Sequence, residues 1–160
     1  DRRNIATHLV GVPMIVLAVV VLLSRPALGA LAGVAITPAL LAALAAGAYW
    51  LVLDRPLGLA MAAVLAAMLA IAAPLAAAAT ATWLGWGAGL FVVGWIIQFV
   101  GHAWEGRKPA FFDDVVGLLI GPLFVAAEIA VMLGWRGALR AEIERREGPT
   151  VVRRRGGAAA

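Results

Sequence analysis

The chain has 160 residues, 64% of them apolar and 14% charged, with a mean hydropathy of +0.98; soluble domains carry about half apolar and a quarter charged residues, so that class is excluded. Cysteine is absent, which rules out disulfides, thiolate nucleophiles and thiolate metal sites. The net charge of +4 leans on the C-terminus, where Arg136, Arg140, Arg145, Arg146, Arg153, Arg154 and Arg155 crowd together; beside so apolar a chain they read as a positive-inside anchor against anionic lipid, and no nucleic-acid partner is expected.

Between His8 and Glu105 the charged residues are Arg25, Asp54 and Arg55, each falling between apolar runs. The first run, His8 to Ser24, follows the polar Asp1-Arg2-Arg3-Asn4 and is close to the ~20 residues of a membrane crossing. Pro13 lies one turn inside it and predicts a kink. Arg25-Pro26 ends this helix, and Ala27 to Pro38 reads as a loose, Gly-containing connection. A second helix is predicted from about Thr37 to Leu53, then a tight polar turn at Asp54-Arg55-Pro56. The third runs from Leu57 to about Ala79 and is so rich in alanine that it offers a smooth surface for close helix packing.

The fourth helix starts after Thr82, carries Trp83 and Trp86 as interfacial anchors, and reaches His102 and Trp104 at its far end. Beyond Glu105-Gly106-Arg107-Lys108-Pro109, Asp113 and Asp114 are placed to cap the next helix. The last apolar run, Val115 to Trp135, contains Glu128 and is expected to break at Gly121-Pro122. Arg136 to Glu147 reads as a charged helix, and the glycines and alanines after it as disordered. The chain opens on Asp1 rather than methionine, with no signal-peptide pattern before the first run, so an upstream segment is expected to have been removed.

These elements predict an all-α integral membrane bundle with four transmembrane helices and a broken C-terminal helical segment; five transmembrane helices are the alternative. Residues 1–147 are expected to form a single membrane-embedded domain, and 148–160 a basic, disordered tail. With the N-terminus inside, four crossings bring Arg2, Arg3, Arg55, Arg107, Lys108 and the arginine-rich tail to the cytoplasmic side. The broken last run returns the tail to that side, and His8 and His102 share a face of the membrane.

Asn4 and His8 are four residues apart, and Gln98, His102 and Glu105 are spaced by four and three, so each set lies on one helix face. Polar groups in or beside apolar helices are costly unless paired, hydrated or ligating, which marks these two stripes as a candidate site. An interfacial histidine is also compatible with a plain wetted helix end. If a metal is bound, two imidazoles and the Glu105 carboxylate match the facial triad of non-haem Fe(II) oxygenases, with zinc as competitor on ligand type. Histidine-box hydroxylases and desaturases require more than the two histidines present. Arg107 and Lys108 are suited either to hold a fatty-acid carboxylate or to anchor the helix end. Glu128 reads as a further acid beside the site, a ligand, or an interfacial residue, and Gly11, Gly101 and Gly106 as sites of close packing or tight turns.

The stretch Asn4-x3-His8-x2-Gly11-x-Pro13 and the block Trp95-Ile-Ile-Gln98-Phe99-Val-Gly101-His102-Ala-Trp104-Glu105-Gly-Arg107-Lys-Pro109-Ala110 resemble the Mpo1-like family. The likeness continues through Asp113, Pro122, Phe124 and Glu128 to Gly134. It implies an Fe(II)-dependent, haem-free dioxygenase of the endoplasmic reticulum or a bacterial inner membrane that converts a 2-hydroxy fatty acid and O₂ to a fatty acid one carbon shorter. It further implies that His8 and His102 bind the iron, with Asn4, Gln98, Glu105 and Arg107 at other motif positions. The chain departs from the family pattern at Gly106, Asp114 and Gly117, and it begins after a Tyr-His pair that members carry just before the position of Asp1. The contrasting expectation is a non-enzymatic membrane protein that binds or moves a lipid or ion through Gln98, His102, Glu105 and Glu128.

Overall fold

A computed structural model describes residues 1–106, 116–135, 137–148 and 150–152. Among the described residues its regular elements are helices and one small hairpin: α1 spans Arg2–Ser24, β1 Gly29–Leu31, β2 Val34–Ile36, α2 Pro38–Leu53, α3 Arg55–Ala77, α4 Thr80–Glu105, α5 Val116–Met132 and α6 Gly137–Glu147. Helices α1, α3 and α4, at 23, 23 and 26 residues, are long and apolar enough to cross a membrane, whereas α2 and α5 are shorter apolar helices. The 16 residues of α2 rise through about 24 Å, short of the ~30 Å hydrocarbon core of a bilayer.

The chain divides into two compact units, Pro13–Gly94 and the pair of stretches Asp1–Val12 and Trp95–Ala160. In the first, Val20 and Val21 of α1, Ala39 of α2 and Ala72 of α3 form the buried core, with Leu17, Met68, Leu69 and Trp83 packed against it. Small residues set the spacing. A Cβ on Gly58 would lie 2.7 Å from Leu51 Cα and N, and one on Gly87 would lie 2.5 Å from Leu22 Cδ2. Neither place has room for a side chain without movement, which is how small residues let apolar helices approach closely. Outward-facing aliphatics are plentiful, Val52 at 85% and Leu59 at 64% exposure among them, consistent with helices long and apolar enough to cross a membrane.

Polar residues in this unit cluster at helix ends. Thr37 caps α2, its Oγ1 accepting from Leu40 N at 3.2 Å, with Pro38 in the first turn. Asp54 serves two helices at once: its N–H donates to Trp50 O at 2.9 Å, closing α2, and its Oδ1 accepts from Leu57 N at 3.0 Å, opening α3. The polar turn expected around Asp54 is therefore a one-residue connection, and α3 begins at Arg55, two residues earlier than expected.

Two expectations need correction. The segment between α1 and α2 is a β-hairpin rather than a loose connection: Gly29 pairs with Ile36 and Leu31 with Val34, and Leu28 N donates to Ile36 O at 2.8 Å. Ala32 and Gly33 take φ of +49° and +81°, and positive φ at both central residues is what a two-residue hairpin turn with the right twist demands. The last apolar run also does not break at Gly121-Pro122, because α5 continues from Val116 to Met132 with Pro122 inside it. The break lies further on, at Leu133–Trp135, where Gly134 takes φ +76°. Pro13 lies inside α1, which is assigned as one helix from Arg2 to Ser24. The Asp113 and Asp114 caps and the terminal glycines and alanines lie outside the described residues.

Candidate functional site

The site belongs to the unit made of the two terminal stretches. There the first turns of α1 lie against the last turns of α4, and glycine makes the approach possible: a Cβ on Gly101 would sit 1.9 Å from Thr7 Oγ1 and 2.6 Å from Asn4 Oδ1. The close-packing role expected for Gly101 is thus given a specific partner.

Around this contact the two polar stripes meet. The His8 and His102 ring centroids are 5.0 Å apart, with the ring planes at 84°. Asn4 Nδ2 donates to Glu105 Oε2 at 2.5 Å, and Gln98 Nε2 donates to Thr7 O at 3.5 Å. Asn4 and Gln98 are buried, at 8% and 3% exposure, so their amides are polar groups held away from solvent and need such partners. Of the residues singled out in the sequence, Asn4, His8, Gln98, His102 and Glu105 are brought together. Arg107 and Lys108 lie outside the described residues.

Hydrogen bonding distinguishes the two imidazoles. His8 Nδ1 is 2.9 Å from Asn4 O one turn back on α1; a carbonyl only accepts, so the neutral ring donates from Nδ1 and keeps its lone pair on Nε2. His102 Nδ1 is buried with no hydrogen-bond partner and lies 3.9 Å from Glu105 Oε2. A buried imidazole nitrogen left unpaired loses its hydration without return. Two imidazole lone pairs and a carboxylate form a donor set suited to a divalent metal ion, and the contact from His8 to a backbone carbonyl is the kind that fixes the tautomer of a ligating histidine. The set is not drawn together as a finished cage: among the described residues no group of three or more His, Cys, Asp or Glu side chains has metal-binding geometry. In these respects the residues fit a metal ion, with Glu105 turned toward Asn4.

Four residues escaped the sequence reading as parts of this site. Thr7 supplies the carbonyl for Gln98 and donates from its hydroxyl to Asn4 O at 2.7 Å; its place three residues after Asn4, on the same helix face, was the available signal. Arg3 and Trp104 form a cation–π pair, 5.5 Å from guanidinium carbon to ring centroid. Asp1 holds the same guanidinium through Arg3 Nε at 3.2 Å and Nη2 at 3.1 Å. Only long-range pairing joins Arg3 to Trp104, and no local spacing announces it. Glu128, read as an acid of this site, a ligand or an interfacial group, lines a cavity of about 350 Å³ with Arg2, Ile5, Met132 and Glu144.

With this geometry in hand, similarity to known proteins becomes informative. The family model described as "2-hydroxy-palmitic acid dioxygenase Mpo1-like" matches residues 1–133. The chain is 45% identical over 58 residues to the 2-hydroxy-palmitic acid dioxygenase MPO1 of Saccharomyces cerevisiae, a match covering 35% of this chain and 33% of the yeast protein. It thus spans about a third of that relative's length. No solved structure matches the chain.

Proposed function

The chain belongs to the Mpo1-like family, and from that membership together with its paired histidines we propose that it is an Fe(II)-dependent membrane dioxygenase converting 2-hydroxy fatty acids and O₂ to fatty acids one carbon shorter. The observation that carries the reading is the meeting of His8 and His102, far apart in the chain, at a ring separation of 5.0 Å, with an imidazole nitrogen of His102 buried and unpaired. Similarity to a yeast 2-hydroxy-palmitic acid dioxygenase supports the substrate class.

In this proposal His8, through Nε2, and His102 hold the iron, with Glu105 as the carboxylate ligand. Bound Fe(II) supplies the redox chemistry toward O₂ that no side chain of this protein offers. Asn4 fixes Glu105 by its short hydrogen bond and fixes His8 through its backbone carbonyl. Gln98, buried and tied to Thr7 O, holds the packing of the two helix ends and is the nearby amide for a substrate hydroxyl. Arg107 and Lys108, which directly follow the Glu105-Gly106 end of the motif, bind the substrate carboxylate. The apolar helices receive the acyl chain and keep water away.

In this proposal the protein sits in a bilayer, a bacterial inner membrane or the endoplasmic reticulum, with the site on the cytoplasmic side. Helix α2, apolar along its 16 residues and joined by one residue to membrane-length α3, is the fourth crossing in this proposal.

The protein purified in mild detergent is expected to hold about one iron per chain, as befits a single cluster of ligands, and to consume O₂ while shortening 2-hydroxypalmitate to a C15 acid. His102→Ala should abolish iron retention in metal analysis while circular dichroism stays helical. Retained iron and activity in that variant would refute the ligand assignment. A wild-type protein that binds lipid but neither iron nor O₂ would leave the non-enzymatic lipid- or ion-binding reading.

A further inference from the structure

A second site lies in the other unit, where nothing in the proposed reaction needs one. A cavity of about 480 Å³ opens beside the C-terminal end of α1, lined by Arg25, Val34, Thr37, Leu40, Leu69 and Ala73 among others, a volume within the range of small-molecule sites. Its walls come from α1, the hairpin, α2 and α3, and are apolar except near Arg25 and Thr37.

Arg25 is the anomaly. Its guanidinium lies over the Trp83 ring, 4.8 Å from carbon to centroid, and Trp83 is itself fixed by donating from Nε1 to Val21 O at 2.8 Å. Stacking engages the face of the guanidinium plane, but the N–H groups lie in that plane and need acceptors. Nη1 is buried with no hydrogen-bond partner. Thr37, also buried, accepts from Leu40 N, which leaves its hydroxyl proton to donate. A held cation with an unanswered planar donor, a hydroxyl nearby and an apolar slot alongside together describe the complement of an anionic lipid.

We propose that this cavity binds an anionic glycerophospholipid, its phosphate on Arg25 and Thr37 and an acyl chain along the Leu69–Ala77 end of α3. A phosphate offers the coplanar oxygens that a guanidinium fork matches. The position favours a phospholipid over a free fatty acid: Arg25 directly follows membrane-length α1, and a Trp-Arg pair at the end of such a helix sits at headgroup depth, where phospholipid phosphates are most abundant.

The test uses the full chain in mild detergent, titrated with phosphatidylglycerol, phosphatidylcholine or palmitate and read by native mass spectrometry. Phosphatidylglycerol should remain bound, and Arg25→Gln should weaken its retention about tenfold, the effect of losing one charge-assisted contact. Ala73→Phe, which fills the slot and leaves the charge, should weaken it as well, with helicity checked by circular dichroism for both variants. Wild-type retention by either folded variant overturns the proposal. So does palmitate displacing phosphatidylglycerol at equal concentration, or phosphatidylcholine binding equally well.

Discussion

In the unit of Pro13–Gly94, helices approach through missing side chains: Gly58 against the backbone of Leu51 and Gly87 against Leu22, with alanines and valines filling the core. In the unit of the two termini the approach at Gly101 is as close, but what gathers around it is polar, namely two amides, two imidazoles and a carboxylate. In the first, the caps at Thr37 and Asp54 are answered by neighbouring backbone, and Arg25 Nη1, at the edge of the cavity, is a buried side-chain atom without a partner. The second leaves His102 Nδ1 buried without a partner. Among the described residues each region thus holds one open donor or acceptor, and an unsatisfied buried polar group calls for an explanation. What differs is the company it keeps, a guanidinium among largely apolar walls in the first and imidazoles, amides and a carboxylate in the second.

The contrast can be broken most severely at Gly58. Gly58→Ala drives a methyl into the backbone of α2 and should destabilise the protein by about 3 kcal/mol, the upper end for overpacking, read as a lowered unfolding midpoint in detergent. Iron per folded chain should not change; a parallel fall in iron would mean that the two regions are not separable. Asn4→Ala is expected next: releasing Glu105 should weaken iron binding by about 10–100-fold, the usual effect of removing a residue that orients a ligand, with a smaller stability change than at Gly58. Unaltered iron affinity would reduce Asn4 to a packing amide. The smallest effect belongs to Asp54→Ala, about 1 kcal/mol for a lost cap, visible in the unfolding midpoint and absent from iron content.

How much of this was legible in the sequence differs by element. Apolar run length found every long helix, and Thr37-Pro38 and Asp54-Arg55-Pro56 gave helix boundaries correct to within a few residues, because capping chemistry is local. The hairpin was missed since half its turn rests on Ala32, a residue that rarely takes positive φ, and its strands are largely exposed. Pro122 misled because proline is a stronger helix breaker in water than in an apolar helix, where neighbouring groups adjust. At the site, spacings of three and four aligned Asn4 with His8 and Gln98 with His102 and Glu105. That the two faces meet needed the topological reasoning about charge as well. The Thr7–Gly101 contact, Arg3 over Trp104 and the cavity at Arg25 depend on which helices are neighbours, and no local pattern encodes that.

The double duty of Asp54 has a consequence for how this chain can vary. One residue separates α2 from α3, so inserting or deleting a single position there would turn α3 by about 100° about its own axis. Gly58 would swing away from Leu51 and a bulkier neighbour would take its place, spoiling the packing of α2 against α3. Loops ordinarily absorb changes of length, but this junction behaves as a phase lock whose length is as constrained as any core side chain.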